Sequence, residues 1–328
     1  MRIDIVVPCY NEEAALPESA RQLLQLLTAM QTSGHAAAGS RLLLVDDGSG
    51  DGTWRLICAL AAADERVAGI RLSRNRGHQI ALLAGLLESD ADAAISIDAD
   101  LQDDIQVMPA MIEHCRKGCD IVYGVREERG SDSAFKRLTA GAFYGLMRRL
   151  GVALVPQHGD FRLLSRRALD CLAEYRETNL FLRGLVPQLG FATAQVGYQR
   201  SPRRAGESKY PLRRMLGLAL DGVTSFSAAP LRLAAGLGAL IFLDSLVMTG
   251  WVVWIRFFTD TAVPGWASTV SPMYFLGGVQ LLCIGIVGEY LARVFLEVKQ
   301  RPKYFVAART SGAGPATATE RAGTGRNA

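Results

Sequence analysis

Short apolar runs that end in acidic or polar residues alternate with helix-like stretches along the first hundred residues. The runs begin near residues 3, 42 and 93, and stretches with helical spacing lie at residues 14–30, 53–63 and 80–89. Such alternation predicts an open, mostly parallel α/β sheet with right-handed crossovers. A chain of 328 residues has room for one such domain of ordinary size and an appendage.

An acid pair, Asp98 and Asp100, follows the third apolar run. Side chains two residues apart project to the same side of an extended strand, so we expect the two carboxylates to converge. Hard oxygen donors at a strand end suit Mg²⁺ or Mn²⁺ carrying a diphosphate. A lone Asp-x-Asp pair is equally compatible with an acidic turn, so the assignment depends on its surroundings.

The other two runs support a binding site, because they also end in polar residues. Asp46 and Asp47 follow the second run, and a Pro-Cys-Tyr-Asn-Glu turn at residues 8–12 follows the first. Ligands of open α/β sheets bind beyond the carboxyl ends of the strands. The sequence lacks both the glycine-rich dinucleotide fingerprint and a Walker-type phosphate loop, so it predicts a nucleotide site of another kind.

Two long apolar stretches, residues 233–255 and 273–296, predict a membrane hairpin. A helix of the first length spans about 34 Å, enough for a bilayer core. The loop at residues 259–272 has no Lys or Arg, whereas basic residues flank the outer ends of the hairpin. The positive-inside rule therefore places both ends in the cytoplasm. Two buried core helices are the alternative.

The segments around the hairpin differ in character. An apolar stripe predicts an amphipathic helix at residues 211–229, lying either in the membrane interface or against the soluble domain. A basic segment, residues 200–214, precedes most of it. Residues 301–328 become rich in Ala, Gly and Thr and are expected to be a disordered tail. With 36 basic against 32 acidic residues, the chain has no charge excess typical of nucleic-acid binding.

The chain resembles the glycosyltransferases of family 2 with the GT-A fold. The matching segments are VVPCYNEE, LVDDGS, RNRGHQIAL, DADLQDD, GDFRLLSR and RRAGESKYPLRRM, followed by the hairpin, and they cover nearly all of residues 1–302. Within the family the resemblance is to the polyprenyl-phosphate branch, which includes dolichyl-phosphate mannose synthase, and especially to the bacterial bactoprenol glucosyltransferases. One departure is Asp104, where the family pattern leads us to expect proline.

The resemblance implies domain boundaries and a reaction. Residues 1–210 would form the GT-A domain, residues 211–229 the juxtamembrane helix, residues 230–300 two transmembrane helices and residues 301–328 a cytoplasmic tail. The reaction would be inverting transfer of a hexose, glucose from UDP-glucose in the first instance, to undecaprenyl or another polyprenyl phosphate. The product would serve cell-envelope glycosylation. The protein would lie in the inner (plasma) membrane as a homo-oligomer, in contact with membrane lipids, with its catalytic domain and both termini cytoplasmic.

Site residues also follow from the resemblance. Those expected at the nucleotide are Pro8, Tyr10, Glu12, Asp46 and Asp98. Those expected at a Mg²⁺ or Mn²⁺ ion are Asp98, Asp100 and Gln102. Those expected at the lipid phosphate are Arg126, Arg137, Arg203, Ser208 and Lys209.

Asp160, in the GDFR segment, is the family's candidate base. A phosphate monoester has a second pKa of about 6 and is already mostly a dianion near neutral pH, so it needs little deprotonation. Asp160 could instead orient the acceptor or a neighbouring arginine. His78, within RNRGHQ, is expected to shape the nucleotide loop.

Other functions remain open at the level of sequence. The donor could be GDP-mannose, a UDP-N-acetylhexosamine or a UDP-aminoarabinose type. A processive polysaccharide synthase would carry a Gln-x-x-Arg-Trp signature, which none of the four tryptophans here provides. A catalytically inactive membrane scaffold would be expected to lose the metal carboxylates, and both are present.

Overall fold

The computed structural model describes residues 1–126, 158–175, 177, 182–199, 229–258 and 266–310. The strands are β1 (Ile3–Cys9), β2 (Arg41–Asp46), β3 (Val67–Leu72), β4 (Ala93–Ser96), β5 (Ile121–Arg126), β6 (His158–Ser165), β7 (Thr193–Tyr198) and β8 (Val306–Thr310). The helices are α1 (Leu16–Thr32), α2 (Thr53–Ala63), α3 (His78–Glu88), α4 (Met108–Arg116), α5 (Arg166–Glu174), α6 (Leu182–Gln188), α7 (Ala229–Phe258) and α8 (Trp266–Val298), with a 3₁₀ turn at Ile105–Val107.

The eight strands form one mixed sheet in the order β7-β5-β6-β4-β1-β2-β3-β8. The pairs β1–β2, β1–β4, β2–β3 and β5–β7 are parallel, whereas β6 and β8 run antiparallel to their neighbours. The predicted α/β sheet is therefore confirmed in its first four strands. The parallel arrangement brings the turns after β1, β2 and β4 to one edge.

Apolar clusters cover both faces of the sheet. All seven residues of β1 are buried, as expected for a central parallel strand with helices on both sides. Helices α1, α2 and α4 pack on one face through residues such as Leu23, Ile57 and Met111. Helices α3 and α5 pack on the other face through residues such as Leu82 and Leu169. This rigid frame positions the loops at the carboxyl edge.

Two details differ from the sequence prediction. Strand β4 ends at Ser96, so Asp98 and Asp100 lie in a turn and not on an extended strand. This turn includes Leu101 in a left-handed conformation at φ 44°, so the period-2 argument for convergence does not apply. Helix α8 already begins at Trp266, inside the interhelical loop expected at residues 259–272.

The expected tail also contains structure. Val306–Thr310 form an antiparallel edge strand on β3, so disorder is the wrong prediction for these five residues. The expectation of disorder rested on the Ala-, Gly- and Thr-rich composition of residues 301–328. Pairing with the exposed edge of β3 provides the backbone hydrogen bonds that composition alone does not reveal.

Helices α7 and α8 belong to a second compact unit. They contain 30 and 33 residues, and both predicted apolar stretches are helical. Among the described residues, one segment, Val279–Val298, is long and apolar enough to cross a membrane by length and composition. The predicted amphipathic helix at residues 211–229 lies almost wholly outside the described residues.

Candidate functional site

The turns after β1 and β2 are joined by hydrogen bonds. The backbone N–H of Asn11 donates to Ser49 Oγ at 3.0 Å, and the Asn11 side chain accepts from Gly50 N–H at 2.9 Å. The backbone N–H of Glu12 donates to Thr53 Oγ1 at 2.9 Å, at the start of α2. These reciprocal bonds hold the two turns as one polar rim at the carboxyl edge of the sheet.

Asp46 and Asp47 organise this rim in different ways. Asp46 is fully buried; its Oδ1 accepts from Ser49 N–H at 3.0 Å and its Oδ2 lies 3.2 Å from Arg71 Nε. Asp47 accepts from the backbone N–H groups of Arg76 and Gly77 at 2.7 and 2.8 Å. Burial raises the pKa of Asp47, although these two N–H groups oppose the change. Asp47 thereby joins the loop after β3 to the rim.

The residues expected at the nucleotide lie along this rim. Pro8 is buried in β1, Tyr10 is 49% exposed and Glu12 is half-buried. Asp46 lies beneath the surface, so Arg71, half-exposed above it, is the nearer group for a ligand. The exposed Tyr10 ring presents an aromatic face, on which a base can stack.

Asp98 is a carboxylate with little compensation. Its side chain is 39% exposed as a whole, but Oδ1 is buried and accepts no hydrogen bond from the described part of the chain. Burial raises the pKa of Asp98. The charge of His78, whose Nε2 lies 3.4 Å from Oδ1, opposes that rise, and the charges of Asp160, Asp103 and Asp100 add to it. A buried oxygen among several negative charges fits a site for a cation.

The other expected metal ligands flank Asp98. Asp100 is exposed, and its Oδ2 accepts from Gln102 Nε2 at 2.7 Å. A second grouping also has ligand chemistry: atoms of His78, Asp98 and Asp160 lie within 4.8 Å of one another. Oxygen donors around Asp98 therefore fit a hard divalent ion.

Asp160 occupies the centre of a hydrogen-bond network. Its Oδ1 accepts from Arg162 Nη2 at 2.6 Å, and its Oδ2 accepts from Gln79 Nε2 at 3.1 Å and from His78 Nε2 at 3.2 Å. Arg183, at the start of α6, adds two contacts of 3.3 Å. Four side chains from three separate elements thus converge on one carboxylate.

This network keeps Asp160 ionised. Burial raises the pKa of a carboxyl group, but the hydrogen bond from His78 and the charges of Arg162 and Arg183 outweigh burial and hold the pKa of Asp160 well below its usual range. Arg162 is 1% exposed and depends on this carboxylate for charge compensation. A carboxylate that binds protons so weakly is a poor general base at neutral pH.

Arg126, expected at the lipid phosphate, is the last residue of β5. It forms an ion pair with Asp103 at 3.2 Å, and its Nε donates to Tyr198 Oη at 3.1 Å. Gly159 passes close by: a Cβ added there would lie 3.1 Å from Arg126 Nη2. Because Gly159 has no side chain, the Arg126 guanidinium can lie next to the backbone immediately before Asp160.

The other lipid-phosphate predictions cannot be placed. Arg137, Arg203, Ser208 and Lys209 lie outside the described residues. Sequence reasoning also missed several residues that the fold brings to the site, namely Gln79, Arg162, Arg183, Asp103 and Tyr198. Gln79, Asp103 and Arg162 lie within the segments that carry the family resemblance, and Arg162 also lies two residues from Asp160 on the same strand.

Comparison with known proteins gives matches over nearly the whole chain. Residues 4–173 match the family description "Glycosyl transferase family 2", and residues 229–294 match "GtrB C-terminal hairpin". The chain is 47% identical over 306 residues to the uncharacterized glycosyltransferase YkoT of Bacillus subtilis, covering 93% of this chain and 90% of that protein.

Two further matches carry more specific names. The SfII prophage-derived bactoprenol glucosyl transferase of Shigella flexneri is 38% identical over 310 residues, covering 93% of this chain and 97% of that protein. Among solved structures, the mannosyltransferase PcManGT of Pyrobaculum calidifontis in complex with GDP-Man and Mn²⁺ is 17% identical. That match covers 88% of this chain and 87% of the other, with a TM-score of 0.44.

Proposed function

The chain belongs to glycosyl transferase family 2, and from this premise we propose that it transfers a hexose from a nucleoside diphosphate sugar to a polyprenyl phosphate. We propose glucose as the sugar and UDP-glucose as its donor, because a relative that aligns over 93% of the chain is named a bactoprenol glucosyl transferase. The structural observation that supports the proposal is Asp98 at the carboxyl edge of the sheet, whose buried Oδ1 accepts no hydrogen bond from the described residues.

A divalent ion fits this site, and Asp98, Asp100 and Gln102 would hold it. When bound, Mg²⁺ or Mn²⁺ stabilises the negative charge that grows on the leaving diphosphate. The rim formed by the first two turns would receive the nucleoside, with Tyr10 against the base and Arg71 above Asp46. The Nε2 atom of His78 lies between Asp98 and Asp160 and separates the proposed metal ligand from the carboxylate that binds the arginines.

The reaction requires no strong base. An acceptor phosphate oxygen attacks the anomeric carbon, the bond from that carbon to the diphosphate oxygen breaks, and the nucleoside diphosphate leaves with its electron pair. Direct displacement of this kind inverts the configuration. Because the acceptor is mostly a dianion near pH 7, we assign Asp160 the alternative role of orienting arginines.

Two arginines are suited to the acceptor phosphate. Arg183 is bound to Asp160 on one side and is 43% exposed. Arg126 is bound to Asp103 and is 33% exposed. A guanidinium held by a carboxylate presents its remaining N–H groups in a defined direction, which suits a phosphate with several acceptor oxygens. Arg137, Arg203, Ser208 and Lys209 stay in the proposal as further phosphate contacts.

We place the protein in the inner membrane with two spans. Helices of 30 and 33 residues measure about 45 and 50 Å at about 1.5 Å per residue, so either can cross a hydrocarbon core of about 30 Å. Strand β8 belongs to the glycosyltransferase sheet, so a chain that leaves this domain through α7 returns to it after α8. This return supports an even number of crossings, with both termini cytoplasmic.

A donor screen tests the proposed function. Membranes containing the full chain are incubated with undecaprenyl phosphate and labelled UDP-glucose, GDP-mannose, UDP-N-acetylglucosamine or UDP-aminoarabinose. We expect label in the lipid fraction from UDP-glucose, dependent on the acceptor and abolished by EDTA. Lipid labelling from another donor would refute glucose alone, whereas no labelling from any donor would refute polyprenyl phosphate as acceptor and favour the inactive scaffold.

A further inference from the structure

The segment after α8, residues 302–310, lies along the edge of the glycosyltransferase sheet, and we name it the strap. Its strand β8 pairs with β3, and Thr310 Oγ1 accepts from the backbone N–H of Gly69 at 2.8 Å. Tyr304 packs against the apolar cluster beneath α3. Arg309 forms an ion pair with Glu88, at the end of α3, at 2.7 Å. The strap is therefore attached along its length.

The strap also binds the loop between β3 and α3, residues 73–77. The backbone N–H of Ser73 donates to the carbonyl of Phe305 at 2.9 Å. The Arg76 guanidinium donates through Nε to the carbonyl of Lys303 at 2.6 Å and through Nη2 to that of Pro302 at 3.4 Å. Lys303 in turn donates to the carbonyl of Tyr175 at 2.5 Å. One arginine thus connects the loop to two carbonyls of the strap.

The opposite side of the same loop contacts the proposed donor site. Asp47 accepts from the backbone N–H groups of Arg76 and Gly77, and Gly77 adopts φ 90°, which favours glycine. A Cβ on Gly48 would lie 2.7 Å from the carbonyl carbon of Arg74, so this loop and the β2 turn meet backbone to backbone. Arg76 is therefore held through its backbone by the rim and through its side chain by the strap.

The position of this loop sets the start of α3. The helix begins at His78, immediately after Gly77, and His78 and Gln79 both donate to Asp160. A displacement of the loop would therefore move the groups that lie between Asp98 and Asp160. Charge-assisted hydrogen bonds such as those of Arg76 are the stronger class, and here they add to the bonds that Asp47 accepts from the same loop.

We propose that the strap holds loop 73–77 in the conformation that binds the nucleotide sugar, with Arg76 as the positioning residue. The segment after the hairpin is thereby a working part of the donor site. This inference rests on the proposed function only for the identity of the donor. The coupling between strap and loop is a property of the protein without ligand, so it can be measured separately.

Hydrogen exchange of the full chain in detergent tests the coupling. In Arg76→Ala we expect the peptide covering residues 73–79 to exchange about tenfold faster, because loss of the Arg76 hydrogen bonds raises the equilibrium constant for local opening of the loop by about that factor. Tyr304→Ala, which removes the packing of the strap against the apolar cluster beneath α3, should have the same effect. The double variant should exchange no faster than either single variant, because both substitutions disrupt the same connection between the strap and the loop. The exposed Arg74→Ala is the matched control and should exchange like the wild type.

Donor titration tests the functional consequence. With Mn²⁺ and whichever of UDP-glucose and GDP-mannose the wild type binds, we expect Arg76→Ala and Tyr304→Ala to weaken binding about tenfold, and Arg76→Lys to fall between them and the wild type. The KM for undecaprenyl phosphate should stay unchanged. Unaltered exchange in Arg76→Ala, or faster exchange with unaltered donor affinity, would overturn the proposal. A wild type that binds neither donor would instead refute the proposed donor class, while the exchange result still decides whether strap and loop are coupled.

Discussion

Asp98 and Asp160 are neighbouring carboxylates with opposite surroundings. Both contact His78 Nε2, at 3.4 and 3.2 Å. Asp160 has two arginines and a glutamine in addition, and its pKa is held well below the usual range. Asp98 has a buried oxygen without a hydrogen bond from the described residues, and burial raises its pKa.

The difference supports our proposal that Asp98, and not Asp160, is the carboxylate that would hold a cation. Asp160 is already neutralised by the protein, so an added metal ion would gain little there and would compete with two guanidinium groups. Asp98 carries an electrostatic cost that a divalent ion would relieve. Of the three residues His78, Asp98 and Asp160, whose ligand atoms lie within 4.8 Å of one another, we therefore propose Asp98 as the metal ligand and Asp160 as the partner of the arginines.

The largest expected effect is on transfer activity through Asp98. Asp98→Asn keeps the size of the side chain but removes a metal ligand, and loss of a group that stabilises developing charge costs about 10²–10³-fold in rate. We expect a fall at the upper end of this range, measured as kcat with saturating Mn²⁺. Asp104→Asn is the control: Asp104 accepts from Gln106 N–H at 2.9 Å, a capping role that asparagine can also fill. Near wild-type activity of Asp98→Asn would refute Asp98 as a metal ligand.

The second effect is on folding through Asp160. Asp160→Asn leaves the buried Arg162 without its countercharge, and removing one partner of a buried ion pair typically costs about 3–5 kcal/mol. We expect a fall of several degrees or more in the apparent Tm of the metal-free protein. Asp170→Asn, which breaks the exposed pair with Arg166 on α5, should change it hardly at all. An unchanged Tm for Asp160→Asn would show that the network does not depend on this charge.

A smaller effect is expected from Arg183. If this side chain contacts a phosphate of either substrate, Arg183→Ala should lower kcat/KM about tenfold, and Arg183→Lys should recover part of the loss. Arg21→Ala, on the exposed face of α1, is the control, since its pair with Glu18 is solvent-exposed. Loss of thermal stability without loss of kcat/KM would assign Arg183 to the support of Asp160 alone.

The first turns were predictable because their signals are local. The apolar runs before Tyr10, Asp46 and Asp98 are continuous in sequence, and each turn follows its strand directly. Even here the sequence misjudged the geometry, because Asp98 lies in a turn whose left-handed residue, Leu101, is not a glycine. The sequence therefore predicted which residues lie in these turns, but it did not predict the backbone conformation of the turn.

The network around Asp160 and the strap were not predictable, because they depend on contacts between distant segments. Gln79 and Arg183 reach Asp160 from α3 and α6, and no spacing in the sequence relates these positions. Strand β8 has the sequence Val-Ala-Ala-Arg-Thr, in which only the terminal Val306 and Thr310 favour strand structure. It forms a strand because β3 offers an unpaired edge, a tertiary feature that single-sequence patterns do not encode.

The smallest expected effect is the most discriminating for the comparison. In metal-free protein, Asp98→Asn removes a carboxylate whose charge is disfavoured by burial, so we expect the apparent Tm to rise by about 1–3 °C, opposite in sign to Asp160→Asn. With Mn²⁺ the order should invert, because an ion at one hundred times its Kd stabilises the wild type by about 2.7 kcal/mol and the variant not at all. Thermal unfolding of both proteins with EDTA and with Mn²⁺ makes the measurement. If Mn²⁺ raised the Tm of Asp98→Asn as much as that of the wild type, the ion would bind elsewhere and the contrast between the two carboxylates would have no bearing on metal binding.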